Sequence, residues 1–164
     1  MKRLLLIISM VFIASVSFAQ SGKWAAGVTL GYGSDISKPS IGVKALYDIS
    51  DHFTVAPSFN YYFQKKEEGV KLNAWDINAD LHWNVLNKDN FKLYPLAGIT
   101  YLHYKASANI SNGESFSDSS FGANLGIGTQ VELGGNWAVS AEVKYQILDD
   151  GSQFVPAASV MYKF

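Results

Sequence analysis

The residues of this sequence able to do acid–base or nucleophilic chemistry are few: three histidines, His52, His82 and His103, with scattered serines and carboxylates. His103 stands four positions before Ser107, with Glu114 and Asp118 following, so a base, a nucleophile and an orienting acid exist if one geometry unites them. A histidine in a polar rim segment is the simpler reading of His103. Asp76 and Asp80 are spaced to share one face of a strand, where paired carboxylates can do acid–base work. Lys44 or Lys144 on an opposite wall would make them structural ion pairs instead. Asp149-Asp150-Gly151 has the composition of a turn and lacks the further spaced ligands of a calcium loop. Gly31-x-Gly33 and Gly126-x-Gly128 have no helix after them, so they do not read as phosphate loops. There is no cysteine, which removes disulfides, thiolate metal sites and cysteine nucleophiles together. No catalytic, cofactor-binding or metal-binding set emerges.

What could hold such residues in place is set by the rest of the chain. Its 164 residues suit one domain; 48% are hydrophobic and 14% aromatic, but only 16% are charged, against about 25% in soluble domains. Mean hydropathy is +0.05, and so rich an aromatic content excludes a disordered chain. With 13 basic and 14 acidic residues the net charge is −1, which offers nucleic acid no basic field. Met1-Lys2-Arg3, an apolar run over 4–13 and Ser17-Phe18-Ala19 read as a cleaved secretory signal peptide of residues 1–19. Losing Lys2 and Arg3 would leave 11 basic and 14 acidic residues, a net charge of −3, on a mature domain of 20–164.

After Gln20 no apolar repeat has helical spacing, whereas alternation at every second residue recurs in eight segments: 23–33, 41–49, 53–64, 75–83, 91–101, 121–133, 137–147 and 154–164. Short turns are expected at Ser50-Asp51, 87–90 and Gly134-Gly135-Asn136, all at one end. The stretch 105–120, rich in Ser and Asn, is expected to be a mobile loop at the other. Closing the first strand on the eighth removes exposed edges. The fold class is therefore all-β, an eight-stranded antiparallel up-and-down barrel.

Which face of that barrel is apolar decides what it is. An apolar interior would make a soluble lipid carrier, for which Gly22-Lys23-Trp24 matches the G-x-W that opens many lipocalins. An apolar exterior would make a transmembrane β-barrel. The polar face carries mostly Gly, Ala, Ser, Thr and Asn, which suits the cramped interior of eight strands better than a solvated surface. Lys44, Asp48, Asp76, Asp80, Glu132, Glu142 and Lys144 then form a polar network in the lumen. The apolar face is banded. Trp24, Tyr47, Phe53, Trp83, Trp137, Tyr162 and Phe164 lie toward the short turns, and Tyr32, Tyr61, Trp75, Tyr101 and Tyr145 toward the long loops. Aliphatic residues such as Val28, Val43 and Leu81 lie between. Two aromatic girdles about an aliphatic belt are what a bilayer selects.

These residues resemble the small bacterial outer-membrane β-barrels of OmpA and OmpX type, and especially the porin-like outer membrane β-barrel proteins common in Bacteroidetes. Val160, Tyr162 and Phe164 resemble that family's C-terminal assembly signal, with Ser159 where a glycine often stands. The resemblance implies a Gram-negative outer-membrane protein whose partners are membrane lipid and the barrel-assembly machinery, with the partner of its loops unidentified. It implies no cofactor and no enzymatic activity, only a membrane anchor that presents loops for adhesion or supports the envelope. Some relatives modify lipid A, but the deacylase pattern His-x-Ser-Asn is absent, since Tyr104 and Lys105 follow His103. A narrow channel is the other alternative, although eight strands are expected to be plugged by their own side chains.

Overall fold

Strands with apolar residues on one face and small polar residues on the other can bury the polar side only by curling closed, and the chain does so. The structure, a computed structural model, describes residues 24–63, 66–67, 70–108, 115–149 and 151–164; the proposed signal peptide, Gly22 and Lys23 lie outside them. Eight long antiparallel strands make the wall: β1 (Trp24–Gly33), β2 (Lys38–Asp48), β3 (Phe53–Tyr62), β5 (Val70–Trp83), β7 (Phe91–Ala108), β8 (Ser115–Gly134), β9 (Trp137–Leu148) and β10 (Gly151–Lys163). Each pairs with the next along the chain, and β1 closes on β10, with Val28 opposite both Val43 and Val160. Two short strands are additional: β4 (Lys66–Glu67) on β5 and β6 (Leu86–Lys88) on β7.

The outer wall is apolar. Val28, Val43, Leu81, Ile127, Val143 and Val160 point outward, and their neighbours in sequence point in. This is the inverse of a soluble carrier, so the lipocalin alternative fails on the orientation of every strand. Trp24 packs on Tyr47 at one end, beside Trp137 on Tyr162 and Tyr162 on Phe164. At the other, Phe59, Trp75, Tyr101 and Phe121 follow one another across four strands, and Tyr145 packs on Phe154. Trp24 to Tyr32 and Trp137 to Tyr145 each advance eight residues. That is about 26 Å along a strand, or about 20 Å of height at the usual tilt, close to the apolar band of outer-membrane barrels.

The 105–120 stretch is not a loop throughout. β7 runs to Ala108 and β8 starts at Ser115, with Lys105 opposite Ser117 and Ser107 opposite Ser115. Beyond the apolar wall both faces of a hairpin can meet water, so the alternation that marks strands disappears while the backbone ladder continues. Connection length also distinguishes the two ends poorly, because 34–37 and 149–150 at the hairpin end are as short as turns. The asymmetry lies in strand length: 18 and 20 residues in β7 and β8, against 10 in β1 and β3. At the opposite end, Gly134 and Gly135 adopt φ of 95° and 59° to make the tight β8–β9 turn.

Candidate functional site

The lumen is a stack of polar layers with an apolar cluster toward each end. Ala25, Leu46, Ala56, Ala138 and Met161 cluster toward the short-turn end, and Tyr62, Ala74 and Leu102 toward the other. In the lowest polar layer Lys44 Nζ, from β2, donates to Glu142 Oε2 of β9 at 2.5 Å. Tyr94 OH donates to the second oxygen, Oε1, at 2.8 Å, and His82 Nε2 lies 3.9 Å from it. The His82 ring stacks on Tyr94 at 4.3 Å. Next comes Lys144, which donates to Asp80 Oδ2 at 3.0 Å, while Asn124 Nδ2 donates to Asp80 Oδ1 at 2.7 Å. Asp76 is held by neutral donors. Asn60, Asn78 and Tyr62 donate to its carboxylate at 2.7, 2.7 and 2.6 Å, three hydrogen bonds that replace its hydration. Lys144 thus donates to Asp80, whereas the hydrogen bonds to Asp76 come from amides and a phenol.

Asp48 and Glu132 belong elsewhere. They sit at the short-turn rim, partly exposed, where Asp48 is 3.5 Å from Lys92 and accepts from Thr54, and Glu132 is 2.6 Å from Lys163. Tyr62, Tyr94, His82 and the amides Asn60, Asn78, Asn124 and Gln146 are network members that the charge pattern alone did not select. Their shared parity with Asp76, Asp80, Glu142 and Lys144 was the available signal.

Gly128 makes room for this layer. A Cβ there would lie 2.5 Å from the Tyr94 ring and 2.7 Å from Glu142 Cγ, so Gly128→Ala must displace the ring that His82 stacks on. Loss of about 1–3 kcal/mol is expected, read as a lower urea midpoint of the folded barrel. An unchanged midpoint would mean that the layer relaxes freely.

At the hairpin end His103 and Ser107 do not meet. Both are in β7, four residues or about 13 Å apart along the strand. His103 instead faces outward, its Nδ1 2.9 Å from Ser119 Oγ and its ring 5.2 Å from that of Trp75. Tyr101 OH donates to the same Ser119 Oγ at 3.0 Å. Asp118 accepts from the Ser119 backbone N–H at 2.8 Å, and among the described residues no carboxylate contacts His103. A serine and a histidine touch here, but no described residue orients the imidazole as a base. Glu114 lies outside the described residues. His52 is exposed in the β2–β3 turn, and Asp149 sits in the β9–β10 turn next to Asp150, which is outside the described residues. No group of three metal-ligating side chains occurs among the described residues.

The profile of the outer membrane protein beta-barrel domain family matches residues 4–164. The chain belongs to that family. An outer-membrane location follows from membership in it and agrees with the banded apolar wall. Among solved structures, Ail of Yersinia pestis, the attachment invasion locus protein, has 20% identity and a TM-score of 0.62, covering 88% of this chain and 100% of its own. The N-terminal β-barrel domain of Pseudomonas aeruginosa OprF has 17% identity and a TM-score of 0.64, with 88% and 100% covered. Neisserial surface protein A has 16% identity and a TM-score of 0.67, with 86% and 96% covered. At such identities the likeness is one of fold. No curated protein matches the chain.

Proposed function

We propose that the chain is a non-catalytic anchor of the outer membrane that presents the extended β7–β8 hairpin to the cell's surroundings, for attachment or envelope integrity. The observation that carries this reading is the contrast between a closed barrel blocked by its own side chains and one hairpin that overshoots it. A lumen blocked by Leu46, Met161 and the Lys44–Glu142 layer speaks against a narrow channel. The unsupported imidazole of His103 speaks against a lipid A-modifying enzyme. Attachment is what Ail is named for, and the hairpin is the element of this chain suited to it. Val160 and Tyr162 face outward on β10, where barrel-assembly machinery could read them together with Phe164.

The absence of native cysteine makes a direct test available. Ser117→Cys, on the exposed face of the hairpin, is expected to react with a membrane-impermeant maleimide on intact cells. Gly135→Cys, in the opposite turn, should react only after the outer membrane is opened. The reverse pattern would overturn the reading, as would equal attachment by cells whose hairpin is shortened to the level of Phe121.

A further inference from the structure

Above the uppermost polar layer the lumen opens at the hairpin end into a cavity of about 360 Å³. Pockets that hold small ligands run from about 300 to 1,000 Å³. One side is apolar, formed by Ile36 of the β1–β2 turn, Leu102 of β7 and Leu148 of β9. The other carries Ser120 of β8 and Gln153 of β10, each only 2% exposed. Ser120 Oγ and Gln153 Oε1 have no hydrogen-bond partner among the described residues, two of only four buried side-chain atoms in that condition. Buried polar groups are otherwise almost always satisfied, so these two call for a missing partner.

Gln153 does not supply its own. Its Nε2 is committed to Gln146 Oε1 at 2.7 Å, and Gln146 in turn donates to Asn78 and Thr100. This ordered chain of amides leaves Gln153 Oε1 as its open end. Gly33 lets Gln153 and Ile36 approach β1 closely, since a Cβ there would lie 2.8 Å from both Gln153 Oε1 and Ile36 Cγ1.

We propose that this vestibule binds a neutral hexopyranose. Gln153 Oε1 requires a donor, whereas Ser120 Oγ can donate or accept, and a sugar hydroxyl does both. The apolar side matches the C–H face of a pyranose ring. Among the described lining residues Lys38 and Asp35 are the charged ones, one of each sign, which favours a neutral ligand over an ion. The proposal takes from the hairpin-presentation reading only the side of the membrane that the cavity faces. Binding in micelles does not depend on that, so the two can fail separately.

The test is a titration of the full mature barrel, folded in detergent micelles, with galactose, glucose and N-acetylglucosamine in turn, and with sodium sulfate, followed by amide NMR. At least one sugar should shift the Ser120 and Gln153 amides saturably in the low-millimolar range, and sulfate should not. Ser120→Ala should weaken that binding about three- to tenfold, the effect of one lost neutral hydrogen bond. Ile36→Trp, a turn substitution that fills the mouth, should abolish it while the unboiled protein keeps its folded gel mobility. No saturable shift at these amides with any of the three sugars would overturn the proposal. So would undiminished affinity in both variants, or the same shifts with sulfate.

Discussion

Glu142→Ala is expected to destabilise the folded barrel by about 3–5 kcal/mol, the cost of leaving a buried cation without its partner. Lys44 and Glu142 have side chains only 3% and 2% exposed, so water cannot replace the lost carboxylate. The same substitution takes away the acceptor of Tyr94 OH, which donates to Glu142 Oε1, and losing that buried hydrogen bond adds its own cost. The measurement is urea-driven unfolding in phospholipid vesicles, read by tryptophan fluorescence and by the loss of the fast-migrating unboiled band.

The pair is costly to break rather than strongly stabilising as such, and the double variant separates these ideas. Lys44→Met with Glu142→Gln removes both charges, keeps the volumes close and leaves an amide oxygen for Tyr94. It should lie within about 1–2 kcal/mol of the parent, because neutral replacements of buried ion pairs are often tolerated. If Glu142→Ala shifts stability by less than about 1 kcal/mol, or the double variant is worse than either single change, the layer is not held by this ion pair.

Much of this arrangement is legible in the sequence, because a strand has only two faces and the two solvents differ completely. Once Val28, Leu30 and Tyr32 are placed outward, Thr29 and Gly31 must turn in, and the same step assigns Asp76, Asp80, Glu142 and Lys144 to the lumen. What alternation cannot give is height and partner. Asp48 and Asp76 share the inward face, yet one lies at a wet rim and the other is fully buried beneath Tyr62. That difference depends on strand stagger around the closed sheet. The replacement of an expected lysine by three neutral donors at Asp76 is equally a matter of register, since Asn60 is directly opposite it. The hairpin lacks the alternation of a strand for the opposite reason: Lys105 and Ser117 pair beyond the apolar wall and are both exposed, and a strand without solvent contrast leaves no pattern.

The same contrast sets the second large effect, at the outer wall. Val28 lies four residues from Trp24 and four from Tyr32, midway between the aromatic rows, and is 48% exposed in the isolated barrel. Its cross-strand neighbours, Val43 and Val160, also face outward, so an arginine there would find no anion or acceptor within the wall. Val28→Arg is expected to cost about 2–4 kcal/mol in vesicles, the price of a cation near the midplane of a bilayer. Leu133→Arg is the control. Leu133 is more exposed, at 63%, but it lies beside the Gly134-Gly135 turn, where the cost falls to about 0–1 kcal/mol. A solvated wall would reverse the logic, since exposed substitutions in water usually change stability by no more than about 0.5 kcal/mol at either position. Equal and small effects for the two arginines would therefore mean that Val28 does not face lipid, whatever the pattern of aromatics around it. A large effect at Val28 with a small one at Leu133 would fix the depth of the barrel in the membrane from two residues.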